Sequence, residues 1–215
     1  VLLLPLAACG GGEDSNSESF SGALADAKAL DLTKYTADFS ITLSDEGAVS
    51  AADLSELAGD TTGTVTSANV TSITGTAAEA QAALDHAQLV SLDAMDATIS
   101  DSGAVAATVL TDLAGATTGD VTSAGVTSIT GDVDAIQAAV TDSQLVSLGS
   151  VNVVVSGTAT AIQLEAIAGA TSGSVTATLA AGEATLDLSS ANSTINNITL
   201  TDDNVALTGS SNVDN

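Results

Sequence analysis

Residues 61–75 read TTGTVTSANVTSITG, and residues 117–131 read TTGDVTSAGVTSITG. The two phrases belong to a longer copy. Residues 45–92 align with 101–148 without a gap, thirty of 48 positions are identical, and Asp45 recurs as Asp101. A third, more divergent copy, SGTATAIQLEAIAGATSGSVTATL at 156–179, matches 102–125 at a slightly shorter offset. No other feature constrains the fold as much. A unit repeated at such a period cannot bury its apolar face alone and is kept folded by stacking on its neighbours.

Each repeated unit divides into related halves. In 96–125, ATIS predicts a strand. Leu110, Leu113 and Ala114 then fall at i, i+3 and i+4, one face of a helix. Gly115 stands where a helix C-cap belongs. Ser50 with Asp53, and Thr160 with Gln163, read as capping boxes or variants of them, with Leu164 and Ile167 facing inward. The other half, 70–95, opens with the strand VTSITG. Thr76 and Glu79 form a T-x-x-E box, and Ala80, Ala83, Leu84 and Ala87 make an apolar stripe. In its copy Asp132 is the cap, with Ile136, Ala139 and Val140 inside.

Strand, short helix and return segment thus recur five times, in coils that alternate between the length of 70–95 and that of 96–125. The pattern predicts an α/β repeat solenoid over 37–181, with strands stacked in register as one parallel β-sheet and short helices on the other side. Coils about 4.8 Å apart give a rod of roughly 25 Å. This layout resembles leucine-rich-repeat proteins in plan, although their consensus and Asn ladder are absent. A parallel β-helix is the alternative, and the capping boxes speak against it. From 182 to 215 the alternation has period two, as in ATLDLS and VALTG, and predicts an all-β, truncated continuation.

Charge narrows the function. The chain has 27 acidic residues against two lysines, Lys28 and Lys34, for a net charge of −25. Nucleic acid is excluded as a partner, because phosphate neutralisation needs Lys and Arg. Scattered carboxylates keep a Thr-rich surface hydrated, and repeated ones are also suited to collecting Ca²⁺.

The first nine residues, VLLLPLAAC, are a short apolar run ending at Cys9, the only cysteine. The run is too short to span a bilayer and reads as a signal remnant. Leu6-Ala7-Ala8-Cys9 resembles the lipobox of bacterial lipoproteins. The resemblance implies cleavage before Cys9, its lipidation, and a membrane partner reached through that anchor. Gly10, rather than Asp, at the next position implies the outer membrane or cell surface. The polar stretch GGGEDSNSES opens a flexible tether and lead-in over 10–36.

The repeats over about 37–181 resemble the Ala/Thr/Gly/Asp-rich repeats of large surface and adhesin-like proteins of aquatic bacteria. In those proteins stretches such as SGAVAATVLTDLAGATTG alternate with VTSITG-type strands. The resemblance implies a structural or adhesive surface role, with envelope or extracellular polymers as partners.

Reactive groups are sparse. His86 is the only histidine, placed on a predicted helix beside Asp85, and Asp142 stands at its copy. One histidine does not make a zinc site or a hydrolytic triad here: no G-x-S-x-G elbow, P-loop or dinucleotide fingerprint occurs. The acidic pairs Glu13-Asp14, Asp45-Glu46 and Asp202-Asp203 lack the aromatic platform of a glycosidase cleft. The chain therefore reads as non-catalytic. The candidate metal ligands are Asp45 and its copy Asp101, with Asp202 and Asp203 in a second oxygen-rich turn, and Ca²⁺ is the cation they suit. The alternative function is accordingly a divalent-cation or glycan binding module of a larger secreted protein.

Overall fold

The computed structural model describes residues 19–35, 39–67, 69–90, 94–181, 185–188, 198–199 and 206–209. β1 (Ser19–Gly22) and α1 (Leu24–Lys28) lead through a 3-10 turn at Leu32–Lys34 into β2 (Ser40–Leu43), β3 (Gly47–Ser50) and α2 (Ala51–Asp60). β4 (Val65–Thr66), β5 (Val70–Gly75) and α3 (Ala77–Leu84) follow, then β6 (Leu89–Val90), β7 (Asp96–Ile99), β8 (Gly103–Ala106) and α4 (Ala107–Ala116). Next come β9 (Val121–Thr122), β10 (Val126–Gly131) and α5 (Val133–Thr141), then β11 (Leu145–Val146), β12 (Asn152–Ala159) and α6 (Ala161–Ala170). β13 (Val175–Leu179), β14 (Thr185–Leu188), β15 (Ile198–Thr199) and β16 (Ala206–Gly209) complete the described elements.

The fold is α/β, with parallel sheets and short helices. Among the described residues every strand pairing is parallel. The helices overturn the alternative of a pure parallel β-helix. One continuous sheet was the expectation, and it is corrected to several. The orders are β1-β2-β4-β6, β3-β5-β7-β9-β11 and β8-β10-β12-β13-β15, with β14 beside β16 in a fourth. The two VTSITG strands, β5 and β10, therefore lie in different sheets. They hold matching places: β5 sits between β3 and β7, and β10 between β8 and β12.

The register explains this. Val49, Ile73, Ala97, Val121 and Leu145 are paired neighbours along one sheet, evenly spaced in the sequence, and all are buried. Val105, Ile129 and Val153 do the same in the next sheet. The alternating coil lengths expected from sequence are the spacing of the helices, not of the strands. Two even steps along the sheet from Val49 reach Ala97 in β7. Val105, the repeat-mate of Val49, lies further on, across the turn, in β8 and in another sheet.

The helices bury the residues their spacing marks. Leu54, Leu57 and Ala58 of α2, Leu110, Leu113 and Ala114 of α4, and Leu164, Ile167 and Ala168 of α6 are buried at the same helical positions. Cutting one of these leucines back to Ala costs about 2–5 kcal/mol. α3 and α5 present a smaller face: Ala80 and Ala83 in one, Ile136 and Ala139 in the other. Leu84 and Val140, expected inside, are only half-buried, and Ala87 is exposed beyond the end of α3. Successive helices pack on one another, from α1 through to α6.

The caps also follow the sequence. Thr76 with Glu79 and Thr160 with Gln163 form reciprocal capping boxes. The Ser50 side chain accepts from the Asp53 N–H, and that of Asp132 from the Ala135 N–H. Gly115 is not a C-cap. It lies inside the last turn of α4, and the chain leaves that helix at Thr117 in an extended conformation that needs no glycine. After α6 the described elements are strands, and β14 pairs with β16 at a shorter step, Thr185 beside Ala206.

Candidate functional site

The phrase T-[TS]-G, which stands at 61–63, 117–119 and 171–173, forms the same junction each time. Thr61, Thr117 and Thr171 are buried just after α2, α4 and α6. Each hydroxyl donates back to a carbonyl just before an earlier strand: Thr61 to Phe39 at 3.3 Å, Thr117 to Met95 at 2.5 Å, and Thr171 to Val151 at 2.7 Å. Each hydroxyl oxygen also accepts the N–H two residues on, from Gly63, Gly119 and Gly173 at 3.1, 3.1 and 3.0 Å. Two backbone groups are thereby satisfied by one buried side chain. The glycine allows the close approach: a Cβ at Gly119 would overlap the Met95 carbonyl, and one at Gly173 the Val151 carbonyl.

Neighbouring polar residues do related work. Asp96 Oδ1 accepts the Asp120 N–H at 2.9 Å. At the matching place Asn152 Oδ1 accepts the N–H and the hydroxyl of Ser174, at 2.9 and 2.8 Å. Sequence reasoning missed these residues and the threonines as bond-makers. The signal was present, because TTG, TTG and TSG stand at equivalent places in the three copies.

Asp45 and Asp101, the two candidate metal ligands in the described residues, occupy equivalent turns before β3 and β8. Asp45 Oδ2 accepts the Leu24 N–H at 2.7 Å, and Asp101 Oδ2 accepts the Ala77 N–H at 2.6 Å. Leu24 and Ala77 are the first residues of α1 and α3. Each carboxylate therefore sits at the N-terminus of an earlier helix, where the unsatisfied N–H groups and the helix dipole favour an anion. α1 relies on this most, since its own N-cap is Ala23, with no side-chain bond. The glycines that close these turns, Gly47 and Gly103, have φ of 82° and 92°, a left-handed conformation that disfavours other residues.

Among the described residues no three His, Cys, Asp or Glu side chains gather as a metal site. Asp202, Asp203 and the lipidation candidate Cys9 lie outside the described residues, as does Glu13-Asp14. His86 falls in the turn after α3 rather than on the helix, half-buried, with Nδ1 2.8 Å from Gln88 Oε1.

One ion cluster joins α1 to α2. Lys28 bridges Asp53, and it reaches Glu56 at 2.7 Å. Hydrogen bonds to the two carboxylates hold the Lys28 ammonium above its ordinary value, and the Lys28 hydrogen bond holds the Asp53 carboxyl below its own. All three side chains are solvent-accessible, so the cluster is a modest fastening rather than a reactive centre.

The aromatic residues collect at the same end of the chain. Tyr35 and Phe39 stack with ring centroids 4.1 Å apart. With Leu32, Thr33, Asp60, Thr61 and Thr62 they line a half-open notch of about 300 Å³. No helix among the described residues is long and apolar enough to cross a membrane. Comparison with protein families, with curated proteins and with solved structures gives no match.

Proposed function

We propose that this chain is a lipid-anchored structural repeat module of the outer membrane or cell surface, non-catalytic and of adhesion type. In this reading 37–181 is a solenoid of leucine-rich-repeat-like plan that spaces or presents a surface. It is carried on the polar stretch after Cys9, with membrane and envelope or extracellular polymers as its partners.

The observation that supports it best is the recurrence of one junction. Thr61, Thr117 and Thr171 tie consecutive layers by the same pair of hydrogen bonds. Polar residues at repeated places are thus engaged in bonds far along the chain: Asp45 and Asp101 hold helix ends, and Asp96 accepts the Asp120 N–H. A sequence selected to repeat such contacts is selected for stacking. The lipobox-like LAAC and its polar follower supply the anchor in this reading.

Two experiments test it. Removing residues 61–116 joins Asp60 to Thr117, which then takes the place of Thr61. A solenoid folds without this unit, melts cooperatively, and is shorter by small-angle scattering. A product that is unfolded, or folded at unchanged length, overturns the layered reading. For the anchor, cells expressing the chain behind a secretion leader are fed labelled palmitate. The wild type takes up label and Cys9→Ser does not; equal labelling of the two removes the anchor at Cys9.

A further inference from the structure

We draw no further inference here: the strongest candidate, the half-open notch of about 300 Å³ between Leu32, Tyr35, Phe39 and Asp60, is flanked by residues 36–38, which lie outside the described residues, so nothing in the structure shows what covers its aromatic wall.

Discussion

The stretch from Asp96 to Gly119 and the stretch from Asn152 to Gly173 follow one plan but are held by different hydrogen bonds. Both run through a positive-φ glycine, Gly103 or Gly157, into a helix of equal length and out through a buried threonine. In the first, β7 and β8 are separate strands joined by Ser100-Asp101-Ser102. In the second, the counterparts of Ser100 and Asp101 are missing, and β12 runs unbroken from Asn152 to Ala159. The loss removes the carboxylate that, in the first stretch, accepts the Ala77 N–H of α3. α5, at the matching place, keeps only a cap of its own, Asp132, where α3 has both Thr76 and Asp101. The helix caps trade in the other direction: α4 starts at Ala106 with no side-chain bond, whereas α6 starts at Thr160 with a full capping box. The Thr–Gly junction is kept in both. The difference teaches which contacts the architecture requires and which are exchangeable.

The largest effects should therefore be shared. Gly119→Ala and Gly173→Ala each force a methyl group against a backbone carbonyl, and each is expected to lower unfolding free energy by about 3 kcal/mol in urea titration. Gly115→Ala is the control. Nothing lies within 4 Å of its Cβ, and it stands in a helix, so it should raise stability by about 1 kcal/mol. If only one of the two junction glycines is sensitive, the stretches are not equivalent. Next, Thr117→Val and Thr171→Val each leave a buried carbonyl and a glycine N–H without their partner, at about 2 kcal/mol apiece.

Smaller effects should separate the stretches. Asp101→Ala is expected to cost about 1 kcal/mol and to speed hydrogen exchange at the Ala77 amide. An unchanged Ala77 exchange rate would break the assignment of Asp101 as a cap across layers. Ala106→Thr gives α4 the hydroxyl that α6 already has, and should raise the melting temperature by the equivalent of about 1 kcal/mol. The smallest effect concerns pH. The depressed Asp53 contributes stability above the ordinary carboxylate value and loses it as pH falls through its folded value. The raised Lys28 contributes below the ordinary lysine value of 10.5 and loses it as pH rises through its folded one. Lys28→Met should thus flatten the melting temperature at both extremes while leaving α4 and α6 untouched.

Local chemistry and the parallel α/β plan were legible in the sequence, and the register between strands was not. Ser50, Thr76, Asp132 and Thr160 announced their helices because a cap acts within a single turn. Leu110 and Leu113 announced a buried face because helical spacing is fixed by geometry. By contrast, the target of Asp101 lies 24 residues away in sequence, and that of Thr117 lies 22 away. Those distances become contacts only once the layers are placed. The period of the text misled for the same reason. It counts chain between equivalent units, whereas register counts neighbours along a sheet. The passage from Ala97 to Val105 lengthens the first without adding to the second. Gly115 was misread because a glycine near a helix end usually signals a left-handed exit. Here Thr117 takes the chain out in extended form. Of the candidate site, the carboxylates Asp45 and Asp101 were found by repetition, but what they face was not.

The short passage from β7 to β8 has a mechanical consequence. Adjacent strands rotate by roughly 20–25° relative to one another, and a parallel ribbon that kept growing would wind up as it lengthened. Among the described residues the three larger sheets hold four, five and five strands. The second copy, 101–148, opens a new sheet with β8 and β10, while its β9 and β11 extend the sheet that β3 and β5 began. Twist then accumulates over no more than five described strands in any one ribbon.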